Sequence, residues 1–198
     1  MSETVHGLAL VLNCGSSSIK YQVIDTRVDG PLAVGLVERV TDHAAGVAEV
    51  IAALEANPDV DLGELTVVGH RVVQGGSEFT APTIIDDEVE RSIALLAALA
   101  PLHNPGHAAG IRAARAAFPT VPHVAVFDTA FHQSMPEEAY TYALDRRVAA
   151  EHAIRRYGFH GTSHGYVARA TADAMGRDVR ELNQIILHLG NGASACAV

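Results

Sequence analysis

The sequence has little positive charge and very little cysteine. It contains 14 Lys and Arg residues against 23 Asp and Glu residues, a formal net charge of -9, and no cluster of basic residues. Nucleic-acid binding through phosphate neutralisation is therefore not expected, and a polyanionic ligand would need local groups and a cation. Cys14 and Cys196 are the only cysteines. Two cysteines are too few for a disulfide framework, which predicts a reducing cytosol.

Long hydrophobic runs are also missing. The longest apolar runs are far too short to span a bilayer, and the first residues lack the basic and apolar segments of a signal peptide. We therefore expect a cytoplasmic protein with no membrane partner. Apolar residues are nevertheless plentiful, at 48% of 198 residues with a mean hydropathy of +0.16. The chain can bury a core in one large domain or two small ones.

Apolar periodicity and capping signals predict three initial strands, followed by alternating helices and strands. The predicted strands are residues 8–13, 19–25, 32–39, 65–73, 121–127 and 184–189. The predicted helices are 43–56, one capped by Asp86 or Asp87 and stopped by Pro101, 104–117, one starting near 134–137, and one capped by Thr162 or Ser163 and closed by Gly176. This order predicts an α/β fold with a mixed sheet flanked by helices.

A turn with one glycine and three consecutive serines joins the first two strands, between Asn13 and Lys20. Such a turn can present backbone N–H groups and hydroxyls to an anion. No Gly-Lys-Ser/Thr leads into a helix, so it is not a Walker A loop. An ordinary hairpin turn would explain a single Gly-Ser pair. The three serines flanked by Asn13 and Lys20 favour a phosphate site.

A second segment, residues 186–194, repeats this design. An apolar strand enters a turn of small residues, and the chain then stops within the returning strand. A half-hairpin would leave an unpaired edge, which is not a plausible end to a domain. We therefore expect a piece of a longer protein. Its duplicated domains would be 1–130 and an incomplete 131–198, facing a shared cleft.

Two charged residues stand at informative places in predicted strands. Arg71 lies in an otherwise apolar strand. It is either a structural ion-pair or strand-end residue, or a clamp for a carboxylate or phosphate, because a buried guanidinium needs anions or several acceptors. Asp128 ends the strand 121–127. It is either a cap for the next turn or a carboxylate facing a ligand crevice, and we favour the crevice.

Histidine is abundant, with 11 residues. His103 and His107, and likewise His160 and His164, have the spacing of zinc ligands on a helix. Pro105 interrupts the first pair, and the predicted cap places His160 ahead of its helix, so zinc binding is disfavoured. Residues 157–164 instead predict a loop at a helix N-terminus, which suits an anion. We assign no role to three other histidines, His123, His132 and His152.

Six segments together resemble the N-terminal half of the acetate kinase family. They are residues 13–20, 69–76, 103–105, 127–132, 156–164 and 188–194, and the resemblance covers essentially the whole chain. Members of this family are about twice as long and belong to the superfamily of actin, Hsp70 and sugar kinases. The resemblance therefore implies two ribonuclease-H-like (actin-like ATPase) domains, the second truncated here.

The resemblance also implies an activity and its residues. The reaction is reversible transfer of the γ-phosphoryl group of ATP to acetate, giving acetyl phosphate and ADP, with Mg²⁺ or Mn²⁺, in a cytoplasmic homodimer. The implied residues are Asn13 for the metal; Ser16, Ser18, Lys20, His188, Leu189, Gly190, Asn191 and Gly192 for ATP phosphates; Arg71, Asp128 and His160 for catalysis; and Arg71, Val73, Leu102, His103 and Phe159 for the substrate. The 198 residues alone are expected to be inactive, because the family's adenosine pocket, second arginine and magnesium-binding glutamate lie outside them.

The sequence departs from the family's usual residues at three places that are not principal catalytic positions. Cys14 replaces a common Ala, Gln74 a common His and Gly106 a common Pro. The nearest alternative function is a propionate or butyrate kinase, which pocket size would distinguish. An actin- or Hsp70-like nucleotide-switched binding protein, which needs no small acid, and a zinc hydrolase are more distant alternatives.

Overall fold

The structure, a computed structural model, describes residues 6–190 and 192–198. The chain divides into two compact units. The first unit comprises the chain up to Gln74 and Pro82–Val126, and the second comprises Gly75–Ala81 and Phe127–Val198. The domain boundaries predicted from sequence, 1–130 and 131–198, stay a prediction.

A six-stranded mixed sheet forms the centre of the first unit. Its strands are β1 (Leu8–Cys14), β2 (Ser18–Asp25), β3 (Pro31–Glu38), β4 (Leu65–Val72), β5 (Thr83–Ile84) and β6 (His123–Phe127), in the order β3-β2-β1-β4-β6-β5. Strands β1, β2 and β3 are antiparallel neighbours, and β4 runs parallel to β1. The mixed sheet predicted from sequence is confirmed.

Three helices accompany this sheet: α1 (His43–Glu55), α2 (Asp87–Leu95) and α3 (Asn104–Ala117). In β1, Leu8, Leu10 and Leu12 are buried while Val11 is exposed, so one face of the strand turns to the core. Residues of α1 and α3, such as Val50 and Ala114, complete that core. The opposite face of β1 stays open for polar side chains.

The second unit holds the remaining helices and one pair of strands. They are α4 (Glu137–Tyr140), α5 (Arg146–Glu151), α6 (Gly161–Met175) and an antiparallel pair, β7 (Ile185–His188) with β8 (Ser194–Ala197). Backbone hydrogen bonds between Gln184 and Val198 extend this pair. Short 3₁₀ turns occur in both units, at Leu62–Glu64, Leu96–Ala98, Ala130–Ser134 and Val179–Glu181. No helix within the described residues combines the length and apolarity needed to cross a membrane.

One capping prediction is resolved and another is wrong. Asp86, rather than Asp87, caps α2 and accepts from the N–H groups of Glu88 and Val89, which hold the pKa of its carboxyl below the usual value. The prediction that Thr162 or Ser163 caps α6 is wrong. That helix begins at Gly161, and its N-cap residue is His160, in the left-handed conformation (φ 55°) with no side-chain capping bond.

Candidate functional site

Three predicted site residues of the first unit share the open face of the sheet. Asn13 on β1 lies opposite Lys20 on β2, and β4 brings Arg71 to the other side of Asn13. The Arg71 guanidinium donates to Oδ1 of Asn13 at 3.5 Å. Asn13 and Lys20 also line a pocket of about 510 Å³ with Val11, Val34 and Leu36. The face therefore offers an amide and two cations to an anion.

The serine-rich turn is a tight hairpin between β1 and β2. The N–H of Gly15 donates to the carbonyl of Ser18 at 2.7 Å, and the N–H of Val40 donates to the carbonyl of Ser17 at 2.9 Å. Ser16 is exposed and Ser18 is half-buried. The first unit thus fixes the turn's backbone while the Ser16 side chain faces solvent.

The start of α3 packs directly against this turn. The carbonyl of Gly15 accepts from Nε2 of His43 at 2.9 Å. A Cβ added to Gly106 would lie 2.9 Å from the same carbonyl and 3.2 Å from that Nε2. In this chain, a side chain at position 106 would push the helix off the turn.

Cys14 also has a structural explanation. A Cβ at Gly110 of α3 would collide with Sγ of Cys14 and lie 2.7 Å from its Cβ. Burial raises the pKa of the Cys14 thiol to about 12. Cys14 is therefore a packing residue in the volume that Gly110 leaves open, and its thiol is not poised as a nucleophile.

The predicted substrate-binding residues of the first unit differ in exposure. Val73 is buried, whereas Leu102 is 75% exposed and His103 is also exposed. The segment after β4 is held by Asn104, whose side chain accepts from the N–H of Gln74 at 3.2 Å and donates to its carbonyl at 3.0 Å. This amide fixes the backbone next to Val73.

In the second unit, Asp128 directly follows β6 and is 1% exposed. Its carbonyl accepts from the N–H of Gly161 at 2.9 Å. A Cβ at Gly161 would collide with that carbonyl and approach Cβ of Phe131 to 2.8 Å. Glycine is therefore required for α6 to begin against Asp128, and this contact places His160 at the helix N-terminus.

His160 is held on several sides. Its ring stacks on that of His188 with centroids 4.1 Å apart, and its Nδ1 lies 2.8 Å from Oγ of Ser194. The same hydroxyl lies 2.8 Å from Nε2 of His164, and Nδ1 of His188 lies 3.0 Å from Oγ of Ser163. Two predicted residues, His160 and His188, are thus brought together by the stacking of their rings.

A pocket of about 730 Å³ opens beside this cluster. Its wall includes Phe159, His160, His164 and Ser194, and Phe159 is 44% exposed. The carbonyl of Phe159 accepts from Nε2 of His132 at 2.9 Å. Sequence reasoning gave His132 no role, and the structure makes it a buried support for the loop that precedes His160.

The turn after β7 is the second predicted phosphate turn. Leu189 is 75% exposed, and a Cβ at Gly190 would meet only the carbonyl of Gly192, at 3.5 Å. Asn191, predicted to bind phosphate, lies outside the described residues. Along the described part of the chain, no group of three or more His, Cys, Asp or Glu residues is arranged to hold a metal ion. The assignment of Asn13 to the metal stays a prediction.

Solved structures define the class of this protein. An acetate kinase from Porphyromonas gingivalis is 36% identical and superposes with a TM-score of 0.91, over 97% of this chain and 55% of that one. A propionate kinase from Francisella tularensis is 38% identical with a TM-score of 0.89, over 97% and 54%. The fold is that of the kinases that these two structures represent.

The family itself follows from the sequence. The acetokinase family model matches residues 8–41 and 39–198, and the chain belongs to the acetokinase family. Acetate kinases from Leifsonia xyli and Clavibacter michiganensis are 53% and 51% identical over 96% of the chain. The chain spans about half of their length, 53% and 54%.

These relatives are longer than this chain within the aligned region. The alignments run over 212 and 214 residues although they cover only 96% of a 198-residue chain, so the relatives carry additional residues. The two matches of the family model meet at residues 39–41, between β3 and α1. There Arg39 adopts the left-handed conformation with φ 57°.

Proposed function

We propose that the protein is an acetate kinase, which transfers the γ-phosphoryl group of ATP reversibly to acetate and forms acetyl phosphate and ADP. The observation that carries this proposal is the family match over residues 8–198. The polar face around Asn13, Lys20 and Arg71 supports it, since this face offers an amide and two cations to anions. The histidine cluster around His160 supports it too, since ring N–H groups can donate to anions.

The chemistry of the reaction assigns roles to these residues. The migrating phosphoryl group spreads negative charge while the donor and acceptor oxygens lie in line. Acetate is already an anion, so no general base is needed, and the difficulty is to bring two anions together. We assign Arg71 and His160 to charge stabilisation and positioning. Asp128 would organise Mg²⁺ or Arg71, rather than act as a proton acceptor.

Mg²⁺ is part of the proposal. Magnesium in phosphoryl-transfer enzymes is bound by few protein oxygens together with substrate phosphates and waters. The amide oxygen of Asn13 is such a ligand and lies on the open face of the sheet, so the donor chemistry fits. When bound, Mg²⁺ supplies charge neutralisation at the phosphates.

The remaining proposed contacts divide between the two turns and an acyl pocket. Ser16, Ser18 and Lys20 would bind phosphate from one turn, and residues 188–192 from the other. We assign Val73, Leu102 and Phe159 to the methyl group of acetate, and His103 to substrate binding. We further propose two actin-like domains, a cytoplasmic location and a homodimer as the whole assembly, with no nucleic-acid or membrane partner.

The test uses a fusion of residues 1–198 to the remaining part of the Leifsonia xyli acetate kinase, a 53% identical relative. The fusion should form acetyl phosphate from ATP and acetate, measured as the hydroxamate. Arg71→Ala should lower kcat/KM for acetate by about 10²-fold or more, because a preorganised charge is lost. Arg112→Ala, which removes an exposed guanidinium paired with Glu90, is the matched control. Equal kcat/KM in both variants would refute the role of Arg71.

The Francisella tularensis structure favours a second candidate, a propionate kinase, at comparable identity. A methylene group in an apolar pocket is worth about 1–3 kcal/mol, so the preference must be measured. The kcat/KM values of the fusion for acetate, propionate and butyrate decide it. ATP hydrolysis that is independent of any small acid would instead indicate an actin- or Hsp70-like protein.

A further inference from the structure

The hydroxyl of Ser194 joins two imidazole rings in the second unit. Its Oγ lies 2.8 Å from Nδ1 of His160 and 2.8 Å from Nε2 of His164. A serine hydroxyl carries one proton and two lone pairs, so it can donate to only one of these nitrogens. Because it has one proton for two nitrogens, the hydroxyl couples the protonation of the two rings.

The surroundings of His164 determine which of the two rings receives the serine proton. It is fully buried, and burial lowers its pKa, so the neutral ring is favoured at neutral pH. Its Nδ1 is buried and meets no hydrogen-bonding partner among the described residues. A proton on Nδ1 would be a buried N–H group without an acceptor, which is rare in proteins. The proton of His164 therefore belongs on Nε2, where it is donated to Ser194.

The direction of the Ser194–His160 hydrogen bond follows from that of the His164–Ser194 hydrogen bond. Ser194 accepts from Nε2 of His164 and donates its own proton to Nδ1 of His160. His160 then carries its proton on Nε2. A Cβ at Gly192 would lie 3.8 Å from that Nε2, so this nitrogen faces the turn after β7. The ring plane is held by the stack on His188.

We propose that Ser194 and His164 are positioning residues, which hold His160 in the tautomer that carries an Nε2–H donor beside Gly192. The use of that donor toward a phosphoryl oxygen rests on the proposed function. The tautomer itself does not, because it follows from the contacts within this chain.

The test is a long-range ¹H–¹⁵N correlation spectrum of the ¹⁵N-labelled 198-residue chain, recorded about two pH units above the ordinary histidine pKa of about 6.5. His160 and His164 should both show Nε2–H with unprotonated Nδ1. Ser194→Ala should convert His160 to a mixture of tautomers, and Ser194→Thr should keep the original one. Ser163→Ala is the control, since its hydroxyl contacts His188 and not His160.

Two results would overturn the proposal: an Nδ1–H tautomer of His160 in the unaltered chain, or identical His160 signals with and without Ser194. The first needs no variant, so the test survives if Ser194→Ala fails to fold. In the fusion enzyme, Ser194→Ala should lower kcat about 10-fold with KM for acetate within about twofold, and Ser194→Thr should restore kcat. An inactive fusion with the expected tautomer would refute the proposed function alone.

Discussion

At the scale of single residues, the side chain of Cys14 fills the space between β1 and α3 that a side chain at position 110 would need. Gly110→Ala gains helix propensity, about 1 kcal/mol, but places a methyl group against Sγ of Cys14. Overpacking of this kind costs about 1–3 kcal/mol, so we expect the single variant to be destabilised. Cys14→Ala removes the nearer of the two clashing atoms. The free energy of unfolding of the double variant should therefore be higher than the value obtained by adding the effects of the two single substitutions.

Urea unfolding of the four proteins in this cycle measures the coupling, which we expect to be about 1 kcal/mol. The control replaces another helical glycine, Gly46→Ala, whose added Cβ would meet Ile19 and Val40 but not Cys14. That change should be additive with Cys14→Ala. Additivity of Gly110→Ala with Cys14→Ala would show that the two residues do not share this volume.

Residue-level roles were only partly predictable from sequence. Arg71 within an apolar strand signalled a charged group that needs partners, and the structure places it beside Asn13. The shared hydroxyl of Ser194 gave no such signal, because Ser194 is 30 residues from His164 in the sequence. Hydrogen bonds between side chains that are distant in sequence produce no periodic pattern from which they could be predicted.

At the scale of elements, a histidine pair joins β4 to β6. Nε2 of His70 donates to Nδ1 of His123 at 2.9 Å, and His123 donates to the carbonyl of Phe118 at 3.2 Å. Burial, with smaller contributions from His123 and His107, lowers the pKa of His70 to about 3. The neutral pair is therefore part of the packing of the sheet.

This pair predicts how stability depends on pH. The unfolded chain binds a proton at His70 with a pKa of about 6.5, and the folded chain only near 3. The contribution is fully present above pH 6.5, and it is lost at about 1.4 kcal/mol per pH unit as the pH falls toward 3. His70→Gln should reduce this slope by that amount in urea unfolding between pH 7 and 4.5. His152→Gln, at an exposed position, should leave it unchanged. Equal slopes for His70→Gln and the unaltered chain would contradict the assignment.

Most elements were predictable because their apolar periodicity is strong. The predicted strands and the helices α1 and α3 lie within one or two residues of their predicted bounds. The helix predicted to run up to Pro101 is shorter, because α2 ends at Leu95 and a 3₁₀ turn follows it. The start of α6 was missed because capping rules look for a side-chain acceptor, whereas Gly161 seats the helix on the carbonyl of Asp128. The two-residue β5 and six-residue α5 are too short to show a period.

At the scale of the whole molecule, the chain corresponds to about half of the length of its curated relatives. It covers 53% of the Leifsonia xyli acetate kinase. We expect the purified 198-residue chain to form no acetyl phosphate above the blank, because residues that complete the site would come from outside this span. The fusion measured under the same conditions is the positive control. Hydroxamate formation by the chain alone at a rate comparable to the fusion would overturn this expectation.

The outer strand β3 has a consequence for handling the protein. It ends the sheet, and its Val34 and Leu36 side chains are 62% and 50% exposed. A strand in this position offers its backbone to other chains, and exposed apolar side chains favour that pairing. Concentrated solutions of the chain are therefore prone to edge-to-edge aggregation. The substitution Val34→Lys would place a charge on this edge, which disfavours such pairing.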